Sequence, residues 1–103
     1  MRENTFTQRA RLGAEFLDQH RPGWFNRIDR RLHMWSPCSC VLGQVYGNYF
    51  KGRNALCLTQ DDVQNYGFWI PPWNFFLFGL LRLAWAWKKE IMSRRSSGFV
   101  GVL

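Results

Sequence analysis

The chain has 103 residues, 47% of them hydrophobic, and carries 14 Lys plus Arg against 7 Asp plus Glu for a net charge of +7. That length supports one domain with one core and excludes two independent ones, and the abundance of Leu, Val, Phe and Trp excludes wholesale disorder. The positive balance favours an anionic partner, whether nucleic acid, an anionic membrane or an acidic protein, although the charges are scattered with no long run of one sign.

From Thr5 to His20, Phe6, Ala10, Ala14 and Leu17 recur at helical spacing, with Leu12 and Phe16 broadening the stripe, which predicts an amphipathic helix. Arg11 and Glu15 stand at i,i+4 on its outer side. Pro22-Gly23 stops it, because proline lacks an amide donor and disfavours helix at the residue before it. Trp24, Ile28, Leu32 and Trp35 then fit a short helix or two turns packed by one face. Arg27, Arg30 and Arg31 fall to its sides as candidate anion contacts.

Ser36 followed by Pro37 reads as an N-cap and first helical residue, predicting a helix from about Pro37 in which Val41, Val45 and Tyr49 share one face and Leu42 and Tyr46 the next. Gly43 and Gly47 on that helix either admit a neighbouring backbone, or Gly47 ends it. Thr59 caps another short turn with Asp61 and Asp62 at its positive end and Gly67 as its stop. Phe68 to Trp73 contains Pro71-Pro72, an extended linker carrying Trp69 and Trp73.

Asn74 can cap the last helix, with Trp73 and Phe78 at the spacing of a hydrophobic staple. The helix is expected from about Phe75 to Met92 or Arg94, packing on the core through Leu77, Leu80, Leu81, Ala84, Trp87 and Ile91. These elements predict an all-α or mainly α fold, a single small domain of four or five short helices closed by a long C-terminal helix. Residues 1–95 would form the domain and 96–103 a flexible or docked tail.

The run GAEFLDQHRPGWFNRIDRRLHMWSPCSCVLGQVYGNYFKGRNALCLT resembles a group of small proteins of actinobacteria and their bacteriophages. The likeness lies in Gly13-Ala14, Leu17-Asp18, Pro22-Gly23-Trp24, Arg27-Ile28-Asp29 and Cys40-Val41-Leu42-Gly43-Gln44, then Tyr46-Gly47, Tyr49 and Gly52. It covers about residues 12 to 68. It implies a phage or actinobacterial setting and a small accessory protein; the last helix of the group is more polar than the Phe-rich one here.

The three cysteines, Cys38, Cys40 and Cys57, are an odd set, and the first residues lack the apolar stretch of a secretory signal, so the expectation is a reduced, cytoplasmic protein. His33 with these cysteines matches no common zinc spacing, and the simpler reading makes Cys40 and Cys57 small core residues with Cys38 near the surface. A cysteine nucleophile at a helix start with His20 or His33 as base has no motif for an oxyanion hole or an orienting third group. The sequence therefore points to a non-enzymatic protein with no metal and no cofactor.

The segment from Trp69 to Trp87 carries the largest apolar excess. Phe75 to Trp87 falls well short of the roughly 20 apolar residues a membrane span needs and contains Arg82. Trp69, Trp73, Phe75, Phe78, Arg82 and Trp85 are the candidate partner-binding residues, with Arg27, Arg30, Arg31, Lys88 and Lys89 as candidate anion contacts on a basic rim. The function expected is docking on a host protein, an acidic one among the candidates, as inhibitor or modulator of a host or defence machine. The alternatives are a nucleic-acid-binding module, a membrane-surface protein and a homodimer.

Overall fold

The structure, a computed structural model, describes residues 6–29, 32–34, 36–69 and 76–102, with backbone alone at 76–78, 80 and 97–102. The elements are α1 (Phe6–His20), a 3-10 turn (Trp24–Arg27), α2 (Val41–Tyr46), α3 (Tyr49–Ala55), α4 (Gln60–Asn65) and α5 (Phe76–Val102). The fold is all-α, a set of short helices with one long C-terminal helix, and no strand occurs among the described residues.

The apolar period of α1 does what it predicts: Ala10, Gly13, Ala14 and Leu17 are buried, while Leu12 turns out to the surface. α1 lies mainly against α5, α4 leans on α1, and α2 and α3 pack on each other. The 3-10 turn follows Gly23, whose φ of 81° only glycine adopts without cost, and it drops Trp24 into the core. Ile28, Leu32 and Met34 are buried along the irregular stretch beyond it.

The helix expected from Pro37 starts later, at Val41. Residues Ser36 to Cys40 form a turn in which the Pro37 carbonyl accepts the amide of Tyr49 at 2.7 Å, so it is not spent on an intrahelical bond. Cys40 is the N-cap instead of Ser36, its Sγ accepting the amide of Gly43. Both readings of the glycines hold. A Cβ on Gly43 would stand 2.3 Å from the Pro37 carbonyl oxygen, and Gly47, at φ 95°, ends α2. Asn48 then caps α3, its Oδ1 accepting the amide of Phe50 at 2.7 Å. Thr59 and Asp62 form the capping box of α4, and Gly67 turns the chain away from it.

α5 runs to Val102, beyond the end expected at Met92 or Arg94. Ser96-Ser97-Gly98 contains no proline, so it lowers helix propensity without removing an amide donor. Arg94 and Arg95 also tie that region of the helix to α1 and to the 3-10 turn. Asn74, Trp73 and the staple lie outside the described residues.

The core is organised around Trp87. Its indole stacks on Phe68 with ring centroids 5.5 Å apart and meets Trp24 edge-on at 5.6 Å. Its Nε1 donates to the Gly67 carbonyl at 2.7 Å, so the buried N–H is satisfied. On the α1 side Gly13 makes the room, since a Cβ there would lie 2.8 Å from the indole and 2.0 Å from the Tyr66 carbonyl oxygen. Burial of an indole of this size contributes on the order of 3 kcal/mol or more.

Candidate interaction surface on the last helix

The phase of α5 is set by what it buries. Leu83, Ala84, Ala86, Trp87 and Ile91 face the core, which corrects the expectation that Leu81 belongs there: Leu81 is 47% exposed. The rotation is fixed by two polar contacts, Trp87 on Gly67 and Arg94 on Asp18, and these carry Leu81 round to the far side. Trp85 is 63% exposed and Met92 67% exposed.

Leu81, Trp85 and Met92 stand at i, i+4 and i+11, so at about 100° per residue they fall on one line along the solvent side of α5. The line is about 17 Å long at 1.5 Å per residue. Arg95 borders it on one side and Arg82 and Lys89 on the other, while Lys88, at i+7, falls close to the line itself between Trp85 and Met92; all four are exposed. An aromatic and apolar stripe left in solvent within a basic frame is of the kind that marks a protein-interaction surface.

Beside Met92 the stripe opens into a groove of about 470 Å3 between α5 and the chain after the 3-10 turn, lined by Ile28, Asp29, Leu32, Lys88, Ile91, Met92 and Arg95. Arg95 is held there: its guanidinium donates to the carbonyl of Phe25 at 2.8 and 3.2 Å and to that of Ile28. The groove wall is held in turn by Gln44, whose Oε1 accepts the Asp29 amide at 2.7 Å and whose Nε2 donates to the Ser39 carbonyl at 2.9 Å.

The sequence-derived candidates divide as follows. Arg82 and Trp85 stand exposed on this face, and Lys88 and Lys89 frame it. Trp69 is half-buried and packed against the core, which corrects its reading as an exposed linker residue. Its amide donates to the Val63 carbonyl at 3.1 Å, so the chain has not yet left α4 at that point. Trp73, Phe75, Arg30 and Arg31 lie outside the described residues, as does the side chain of Phe78. Arg27 is exposed at the end of the 3-10 turn. Leu81, Met92 and Arg95 were missed. The i, i+4, i+11 repeat was visible, but two interleaved apolar stripes on one helix cannot be assigned to core or solvent before the helix rotation is known.

A second, smaller cleft of about 280 Å3 is lined by Met34, Tyr49, Phe50, Arg53, Phe68, Trp69 and neighbours. Phe50 is 59% exposed at its edge, and Arg53 Nε donates to the Leu58 carbonyl at 3.1 Å.

The cysteines give no cluster. Cys40 is buried as expected, whereas Cys57 is exposed, correcting its reading as a core residue. It occupies a left-handed position, φ 56°, at the turn after α3, where the side chain points away from the interior. Burial pushes the Cys40 thiol up from its ordinary value, against the opposing effect of the Gly43 amide, so it stays protonated and is a poor nucleophile. Among the described residues no group of His, Cys, Asp or Glu is placed to hold a metal ion, and no helix is long and apolar enough to cross a membrane.

Compared with known protein families, with curated proteins and with solved structures, the chain matches none of them.

Proposed function

We propose that the protein acts by binding another protein through the outer face of α5, with Trp85 as the central anchor and Leu81 and Met92 on either side. The observation that supports this reading is the exposed line Leu81, Trp85, Met92 on a helix whose opposite face already fills the core. Trp and Arg are favoured at binding hot spots, and Arg82 and Arg95 border the line. The resemblance to small proteins of actinobacteria and their phages supports a host protein as the target, with the chain as an accessory that inhibits or modulates it.

A nucleic-acid interface rests on the net charge of +7 and on the cations around Trp85. It loses Trp69 as an exposed stacking platform, because that ring is packed against the core. Salt separates the two readings: phosphate contacts weaken by orders of magnitude between roughly 50 and 200 mM salt, whereas an aromatic hot spot persists.

The test is a paired pull-down from nuclease-treated actinobacterial lysate at about 200 mM salt, using the wild type and the Trp85→Ala, Met92→Ala double variant. A stoichiometric protein retained by the first and lost by the second is the expected result. The reading is overturned if both retain the same proteins, or if nucleic acid alone is recovered once nuclease is omitted and salt lowered.

A further inference from the structure

We infer that the partner element recognised by α5 is an acidic amphipathic helix, laid along Leu81, Trp85 and Met92 with one apolar side chain seated in the groove between Ile28, Leu32 and Ile91. This rests on the protein-binding reading of that face and names the chemistry of its occupant.

Charge complementarity selects the class. The line of apolar side chains is flanked by Arg82 and Lys89, seven residues apart on one edge, and by Arg95 on the other, with Lys88 seated close to the line between Trp85 and Met92. A partner helix that buries its own apolar seam against the line brings its flanking positions over these cations, and Asp or Glu there forms the rim contacts. A second copy of the same face is disfavoured, since it would set the cations against their own kind.

Shape favours a protein segment over an anionic bilayer. The apolar line is one side chain wide, has Lys88 close to its middle and further cations on either side, whereas interfacial helices sink a broad apolar face below the headgroups. The groove beside Met92 is a recess with an apolar floor of Ile28, Leu32 and Ile91; two cations, Lys88 and Arg95, and one carboxylate, Asp29, line it, so a Leu or Phe side chain fits the floor and a partner carboxylate fits the side of Lys88 and Arg95. A headgroup layer makes no use of such a recess. Arg95 is positioned in advance by the Phe25 and Ile28 carbonyls, so less side-chain freedom is lost when a carboxylate arrives.

The experiment is selection of binders to the full-length chain from a displayed library of helix-forming peptides, about 15 to 18 residues long so that they are stable as helices. Selected peptides are then measured against Lys88→Glu, Lys89→Glu and Trp85→Ala, Met92→Ala, each checked for wild-type helicity. The same proteins are added to vesicles of phosphatidylcholine with and without phosphatidylserine. The expected result is peptides with an apolar seam flanked by Asp and Glu, losing roughly tenfold or more in affinity on charge reversal, as like-charge contacts demand, and on removal of Trp85 and Met92.

Selected peptides with no acidic excess, or indifferent to charge reversal, overturn the acidic class while leaving the α5 face as a protein-binding surface. Peptides indifferent to the loss of Trp85 and Met92 overturn both. Vesicle binding that needs phosphatidylserine and shifts Trp85 emission to the blue, with no peptide selected, assigns the face to an anionic lipid surface and overturns the inference; so does the absence of any binder in either arm.

Discussion

Asp18 on α1 and Arg94 on α5, 76 positions apart in the chain, form a two-pronged ion pair: Nη2 donates to Oδ2 at 2.8 Å and Nε to Oδ1 at 3.0 Å. The carboxylate also accepts the indole N–H of Trp24 at 2.9 Å, and the guanidinium lies over the Trp24 ring, 5.8 Å from its centroid. Glu90 adds a second contact to Arg94 at 2.7 Å. One carboxylate therefore joins the first helix, the buried turn and the last helix.

That junction makes stability depend on acid. The hydrogen bond from Arg94 holds the Asp18 carboxyl below its ordinary value, outweighing the opposing effect of burial, with the Trp24 N–H acting in the same sense. A carboxyl with a depressed folded pKa adds stability above its unfolded value, near 3.9, and loses it as pH falls through the folded one. Asp18 is partly exposed, so the contribution is at most about 1 kcal/mol. Chemical unfolding of wild type and Asp18→Asn should differ at pH 7, and the difference should shrink as pH falls below the ordinary carboxylate range and through the depressed value. A gap that stays constant as the carboxyl is protonated contradicts the assignment.

Gly13→Ala should destabilise by about 2 kcal/mol or more, because the new methyl would press on the Tyr66 carbonyl and the Trp87 ring with no flexible neighbour to yield. Gly52→Ala is the control. Its Cβ would meet the Tyr46 ring at 3.0 Å, a contact that ring movement relieves, and the Leu42 Cβ at 3.1 Å, which yields with a backbone shift of a few tenths of an ångström, while alanine gains helix propensity of about 1 kcal/mol. Thermal unfolding of the two variants should separate them clearly; equal melting temperatures would show that α1 can move off Trp87.

Trp85 and Trp87 are two residues apart and should behave oppositely. Trp87→Ala removes a fully buried indole and its bond to Gly67 and should cost about 3 to 5 kcal/mol. Trp85→Ala should change stability by no more than about 0.5 kcal/mol. Urea unfolding followed by far-UV circular dichroism reads both, and a large loss for Trp85→Ala would place that ring in a core contact.

Cys57 holds φ 56° without being glycine. Left-handed backbone costs an ordinary residue about 1 kcal/mol, so Cys57→Gly should leave stability unchanged or raise it by up to roughly that amount, part of the gain being offset by the freer unfolded chain. A drop in melting temperature would show that the thiol makes a contact worth more than the backbone relief.

Much of the fold was legible because its signals are local. The α1 stripe apart from Leu12, the Thr59 cap and the Gly67 stop each depend on residues within one or two turns, and each appears as read. The break between α2 and α3 was also written locally, as a glycine in left-handed conformation followed by an asparagine cap, but a proline before Cys38 offered a more familiar start and drew the helix too early. The binding face was legible only in part. Trp85 was separable from Trp87 by position, whereas Leu81 was not, because the rotation of α5 is decided by Gly67 and Asp18, residues 20 and 76 positions from their partners.

The cap of α2 has one more consequence. Cys40 spends its sulfur on the Gly43 amide, inside the protein, with its thiol held protonated, while Cys38, two residues before it, stands in solvent. A thiol reagent will therefore mark Cys38 and Cys57 at once and reach Cys40 only in the moments when α2 unwinds from its first turn. The lag between the prompt and the delayed label is a clock for that opening, carried by the native chain without an added probe.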